Sequence, residues 1–451
     1  MSQTATAPNT VPNTAIVILA AGKGTRMRSA VPKVLHEIAG RPMLGHVLAA
    51  ALETGASRLC LVTAPDQSDV REYTLAQAPT LLACIQENQL GTGDAVRAAM
   101  SALDGVERVV IMFGDTPLMR TDILRQLAMS EADVCVLGFE PEDAAAYGRI
   151  IMEADAPARI VEYKDADAPT RAIGLCNGGA MGVRASVLNE LLPELQNDNA
   201  QGEYYLPDLV HLAVASGRST ALVLGDTDDT LGVDSRKGLA HAEARMQARL
   251  RAKMLEAGVG MQDPDTVYLS HDTQIEADVT FEPHVKIGPG VQIGEGTLIK
   301  AFSHLEGVRI GARATIGPFA RLRPGTVLGD EARIGNFVET KNAQLGNGSK
   351  VNHLSYIGDA ELGVGVNVGA GTITCNYDGF RKHITRIGDG AFIGSNSSLI
   401  APVTIGAGAY LGSGTAVSGD VSADSLALTR APRRDVEGWA QSFRRKNQEA
   451  D

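Results

Sequence analysis

The chain has 451 residues, 44% hydrophobic and 21% charged, a globular composition long enough for two or three domains. Asp and Glu number 53 against 41 Lys and Arg, a formal net charge of −12. That balance speaks against a general binder of nucleic acid or anionic membranes, and no apolar run approaches the ~18 residues of a membrane span.

Residues 1–13 carry no Lys or Arg, and the apolar run Ala15–Ala21 stops at a glycine. Neither part of a signal peptide is present, and 1–13 reads as a loose tail. Over 14–238, short β-rich runs alternate with helical patterns. Strands are predicted at Ala15–Ala21, Arg58–Thr63, Arg108–Phe113, Asp133–Phe139 and Thr220–Leu224. Helices are predicted at Pro42–Thr54, Thr92–Leu103, Arg120–Met129 and Pro207–Ser216. Such alternation implies βαβ units on a mostly parallel, Rossmann-like α/β sheet, with ligands beyond the C-terminal strand ends. Leu239, Met246, Leu250 and Met254 share one face of a linker helix, 239–258.

A second grammar follows, over 259–430. Residues 281–420 hold 26 of the 49 glycines. An aliphatic residue followed by Gly recurs at Ile287, Ile293, Ile310, Ile316, Leu328 and Ile334, then at Ile387, Ile393, Ile405 and Leu411. Within each cluster the spacing is six or a multiple of six, the hexapeptide repeat of a parallel β-helix, ~18 residues per triangular coil. Residues 371–386 break the rule and read as a loop pushed out of the coil. Residues 431–451 read as a basic tail.

The string AIVILAAGKGTRM, 15–27, is a buried strand followed by a glycine loop. Backbone N–H groups of Gly22, Lys23 and Gly24 with Arg26 suit a nucleotide's phosphates. It is neither GxGxxG nor a P-loop. Lys33 adds a second cation. Asp115 ends the strand run RVVIMFGD, where a carboxylate suits Mg²⁺. In the repeat half, His353 in VNHLSYIG is a candidate general base. Arg323, Lys341, Tyr356, Asn367, Asn376 and Tyr377 recur around it at coil-like separations. Glu339 is expected to orient His353. Five scattered cysteines without a metal-ligand spacing read as free thiols of a reducing cytoplasm.

LAAGKGTRM, Pro32-Lys33 and FGD at 113–115 form an ordered constellation that resembles the sugar-1-phosphate nucleotidylyltransferases. Over roughly 14–440 the chain resembles the bifunctional family that acetylates glucosamine-1-phosphate and then transfers uridylyl to the product. PKVLH, QLGTGDA, NAQGEYY, GPFARLRPG, GNFVETK, HLSYIGDAELG and GAGTITCNYDG carry that resemblance. It implies a left-handed β-helix and a homotrimer. UTP, acetyl-CoA, glucosamine-1-phosphate and N-acetylglucosamine-1-phosphate would be the substrates and Mg²⁺ the cofactor. The product would feed peptidoglycan and lipopolysaccharide.

The resemblance also implies site roles. Leu19, Ala20, Ala21, Gly22 and Lys23 would hold UTP. Arg26 and Lys33 would neutralise the α-phosphate. Gln86, Gly91 and Thr92 would read the uracil edge. Gly148, Glu162 and Asn177 would hold the sugar. Asp115 and Asp234 would bind Mg²⁺. In the β-helix, Arg323 and Lys341 would clamp the sugar phosphate, with His353 as base. Tyr356, Asn367 and Asn376 would hold the acceptor. Ala370, Asn376, Tyr377, Ser395, Ser413 and Arg430 would contact acetyl-CoA. The chain departs from the family pattern at Asp234 (usually Asn), Phe113 (Tyr), Gly178 (Thr) and Pro207 (Thr).

Overall fold

The computed structural model describes residues 11, 13–144, 146–430 and 432–448. The chain divides into two compact units, Met1–Arg249 and Leu250–Asp451. Most of the expected tail, 1–13, lies outside the described residues, but Val11 is buried in the first unit. Asn13 is fixed through its amide to the Gly105 carbonyl, 2.7 Å.

The first unit is built on one sheet. Its strands run in the order Thr220–Leu224, Val134–Phe139, Cys176–Arg184, Arg108–Phe113, Thr14–Leu19, Arg58–Thr63, Leu82–Ile85. Along that path all neighbours are parallel except Cys176–Arg184, which is antiparallel to both strands beside it; off the path, Arg149–Glu153 pairs antiparallel with Cys176–Arg184 and with Ala156–Val161. Ala15, Val17 and Leu19 pack into one apolar cluster, while Ile16 and Ile18 pack into another. A strand covered on both faces needs an unbroken apolar run, which is what 15–19 supplies.

Cys176–Arg184 escaped sequence reading because three glycines mask it. They are there for space. A side chain at Gly182 would collide with the Leu127 carbonyl, and one at Gly178 would meet Leu137 Cγ at 2.8 Å. The helix Ser68–Gln77 was also missed; only Val70 and Thr74 on it are buried. The long helix runs Arg236–Glu256.

The second unit is a three-sided parallel β-helix. Register partners on one side climb from Thr280 to Leu298, Thr315, Arg333, Lys350 and Asn367, steps of 18, 17, 18, 17 and 17 residues. Ile287, Ile293, Ile299, Leu305, Ile310, Ile316, Leu322, Leu328 and Ile334 all point into one column of fully or nearly fully buried side chains. Each such aliphatic contributes about 1.5–3 kcal/mol of burial.

The next step, Asn367 to Phe392, is 25 residues. The expected loop 371–386 is in fact shorter. Ile373–Cys375 pairs with the coil above it, and Thr385 rejoins the coil at Ala360. Only 376–384 leaves, closed by a bridge between Tyr377 and Lys382. The segment 431–451 is not merely a tail: among its described residues Trp439–Gln448 is helical. No helix among the described residues is long and apolar enough to cross a membrane.

Candidate functional site

In the first unit a cleft of about 440 Å³ opens at the C-terminal ends of the parallel strands. Leu19, Ala20, Ala21, Gly22, Lys23, Lys33, Gln86, Gly91, Thr92 and Asp115 line it, ten of the residues expected there. Gln89 and Glu203 also line it and were not foreseen, although both lie within motifs read from the sequence. Gly24 turns the loop with φ +59°, and a side chain there would meet Lys33 Cβ at 2.6 Å. The Gln86 amide nitrogen donates to the Gly91 carbonyl at 3.1 Å and to Asp94 at 2.7 Å. Thr92 Oγ1 accepts from the Leu206 N–H at 2.9 Å, pinning segment 199–206 to the loop.

Each cation meets one of the two carboxylates. Lys33 Nζ contacts Asp115 Oδ2, and Arg26 Nη1 lies 2.5 Å from Asp234 Oδ2. The N–H of Val233 donates to the Asp115 carbonyl at 2.9 Å, so the backbone ties the two carboxylate-bearing segments together. Two hard oxygen donors beside the glycine loop fit Mg²⁺, which takes one or two carboxylates and leaves the rest of its coordination to other oxygen ligands. Among the described residues no cluster of three or more acidic, His or Cys side chains offers a full protein cage.

Gly148, Glu162 and Asn177 form a second group, outside that cleft's lining. The Asn177 N–H donates to the Gly148 carbonyl at 2.8 Å. A side chain at Gly148 would stand 3.1 Å from Glu162 Oε1. Burial, then the charges of Asp208 and Asp165, push the Glu162 carboxyl up. Asp208 is pushed up to about 6, chiefly by burial. Pro207 caps the helix Asp208–Ala215 that carries it, with helical φ of −52°.

In the β-helix, three cations converge. Lys341 has its pKa lowered, first by contact with and charge from Lys382, with Arg323 adding to it and Asp359 opposing. Lys382 comes from the excursion and was not foreseen. Asp359, nearly buried, accepts from the amides of Asn342 (2.7 Å) and Asn376 (2.5 Å). It was also missed, although it lies inside HLSYIGDAELG. The Tyr356 ring lies where a side chain at Gly358 would be.

The expectation for Glu339 is corrected. Its carboxylate binds Arg323 Nη1 at 2.9 Å and faces Arg321 at 3.9 Å. The partner of His353 is Asn336: Nδ1 to Oδ1 is 2.7 Å. Arginine competes for Glu339 more strongly than imidazole, because the pair is charge-assisted.

Ala370, Ser395 and Ser413 stack on successive coils. Their carbonyls accept from Asn396 N–H, Gly414 N–H and Arg430 Nη2 at 2.7, 2.7 and 3.1 Å. Asn367 is in register with Lys350 and Phe392. Tyr377 is exposed, and its hydroxyl donates to the Gly379 carbonyl.

Comparison with known proteins agrees with both halves. Residues 16–199 match the MobA-like NTP transferase domain. Residues 307–342 and 384–419 match the bacterial transferase hexapeptide (six repeats) family, which makes the second unit a left-handed β-helix. Three relatives are each named bifunctional protein GlmU. That of Parvibaculum lavamentivorans is 54% identical over 96% of this chain and 97% of its own length. That of Azorhizobium caulinodans is 50% identical over 95% and 97%. That of Ruegeria sp. is 50% identical over 96% and 97%. A two-unit transferase alike from end to end at this level shares their descent, and this chain belongs to the family of the bifunctional protein GlmU.

Proposed function

We propose that the chain converts glucosamine-1-phosphate to UDP-N-acetylglucosamine in two steps, acetyl transfer in the β-helix and uridylyl transfer in the first unit. The observation that supports this reading is that one chain carries both polar groups: the Lys33–Asp115 and Arg26–Asp234 pairs in the first unit, and in the β-helix Lys341 beside Lys382 and Arg323, with His353 held by Asn336.

For acetyl transfer, Arg323 and Lys341 clamp the sugar phosphate, and Lys382 reinforces them. Tyr356, Asn367 and Asn376 hold the sugar. His353 takes a proton from the amine, whose lone pair attacks the thioester carbonyl carbon. The C–S bond breaks and CoA leaves, taking up a proton. Ala370, Ser395 and Ser413, with Tyr377 and Arg430, contact acetyl-CoA.

For uridylyl transfer, Leu19 to Lys23 hold UTP. Gln86 spends its amide protons inside the protein, which leaves its Oε1 to accept from uracil. Gly91 and Thr92 complete that edge. Gly148, Glu162 and Asn177 hold N-acetylglucosamine-1-phosphate. A phosphate oxygen of the sugar attacks the α-phosphorus in line as the bond to pyrophosphate breaks. Arg26 and Lys33 neutralise the oxygens that gain charge. Mg²⁺, when bound at Asp115 and Asp234, supplies further positive charge to the phosphates.

A homotrimer is part of this reading. Its support is an exposed stack of His284, Phe302, Phe319 and Phe337 along one corner, rings 4.9–5.2 Å apart, which a second copy would cover. A cytoplasmic setting, supplying cell-wall precursors, is supported by five free cysteines.

The test is product analysis by mass spectrometry after one incubation with glucosamine-1-phosphate, acetyl-CoA, UTP and Mg²⁺. The expected result is UDP-N-acetylglucosamine with equal CoA and pyrophosphate. Arrest at N-acetylglucosamine-1-phosphate would remove the uridylyl half. No product from folded protein would remove both.

A further inference from the structure

Two neighbouring coils place Asn336 and His353 at the C-terminal ends of their strands, Arg333–Asn336 and Lys350–His353, in direct register. The backbone on both sides of the pair is fixed. The Leu354 N–H donates to the Asn336 carbonyl at 3.0 Å, and the His353 carbonyl accepts from Gly371 N–H and from Ser355 Oγ. The side chains then meet with His353 Nδ1 2.7 Å from Asn336 Oδ1.

We propose that Asn336 is a positioning residue for acetyl transfer: its Oδ1 accepts from His353 Nδ1–H, fixing the tautomer and ring plane that leave Nε2 unprotonated to serve as base. This deepens the proposed function and rests on His353 being the base. An amide carbonyl is a neutral acceptor. It orients the ring without adding the charge that a carboxylate would. Glu339, one turn away, does not take this role because Arg323 holds it. The strands paired with Lys350–His353 carry one ionisable group, Arg333, in register with Lys350 and three residues from the pair; Asn367–Val368 carries none. Asn336 thus meets His353 with no titrating group interposed on those strands.

The test uses the full-length protein and three variants. In wild type labelled with ¹⁵N-histidine, the His353 resonance, identified by its loss in His353→Ala, should show protonated Nδ1 and bare Nε2. Asn336→Ala should lose that preference and lower kcat for acetyl transfer about tenfold, with KM for glucosamine-1-phosphate within about twofold. Asn336→Asp, isosteric and therefore a control for folding, should keep the tautomer. It should move the acid limb of the kcat/KM profile up by about one pH unit, because an anion beside the ring favours the imidazolium. An Nε2–H tautomer in wild type overturns the proposal. So does Asn336→Ala with wild-type kcat and pH profile. Retained acetyl transfer in His353→Ala defeats the base reading instead, and the tautomer measurement still judges the Asn336 contact by itself.

Discussion

The two units assemble their polar clusters in opposite ways. In the first, residues from 19–33, 86–92, 115 and 234 converge because strands distant in sequence lie side by side. In the second, partners such as Asn336 and His353, or Asn342 and Asp359, are 17 residues apart and meet because one coil has passed. The first geometry depends on the whole sheet; the second depends on local stacking. Charge differs too. The sheet cleft pairs each cation with a carboxylate, whereas the β-helix gathers Arg323, Lys341 and Lys382 with Asp359 and Glu339 as their main counterweights.

If the two clusters are independent, His353→Ala should lower acetyl transfer about 10²–10⁴-fold. Pyrophosphate release from UTP and supplied N-acetylglucosamine-1-phosphate should stay at the wild-type rate. A parallel loss of both activities would break the comparison.

The inward column gives the next largest effect. Ile334 is fully buried, and Ile334→Ala should cost about 2–5 kcal/mol in the urea unfolding of the β-helix. Uridylyl transfer measured at urea concentrations below the first unit's own transition should be unaffected.

Legibility divides along the same line. The hexads made the coil and its ~18-residue period readable, because register in a solenoid is arithmetic; Ala370, Ser395 and Ser413 came only from the family resemblance, and the 25-residue step between the first two does not follow the period. The hexads did not reveal which side chain meets His353, since Glu339 and Asn336 both lie about a coil away and only competition from Arg323 decides between them. In the sheet, the strands with apolar runs and the glycine loop were visible. Cys176–Arg184 was hidden by glycines whose purpose is to admit Leu127 and Leu137 from elsewhere in the chain. Lys382 was hidden because nothing in a loop's composition says where its bridge closes.

A smaller effect concerns Asp208. Its folded pKa, about 6, lies above the ordinary 3.8, so the native state holds this proton more tightly than the unfolded chain. Stability should therefore fall as pH rises from about 4 to about 6 and level off above that. Asp208→Asn should flatten this dependence and stabilise the first unit at neutral pH by at most about 3 kcal/mol, less after solvent screening. Thermal melts at pH 4.5 and 7.5 would read the difference, and a variant melting with the wild-type pH dependence would count against burial as the cause.

The smallest effect on stability belongs to Asp234→Asn. Arg26 is 74% exposed in its pair, so the loss should be under about 1 kcal/mol. Mg²⁺ binding, read by calorimetry with UTP present, should nonetheless weaken several-fold if a carboxylate is lost from the donor set. Unchanged affinity would assign the metal to Asp115 without Asp234.

The nine-residue excursion 376–384 leaves the coil and returns with Thr385 seated on Ala360, while Ile373–Cys375 before it stays stacked on Ser398–Ile400. Chain length at this corner is therefore decoupled from everything downstream. Residues gained or lost there shift no later rung of the prism, so the scaffold carrying Ser395, Ser413 and Arg430 keeps its spacing whatever the length of the excursion.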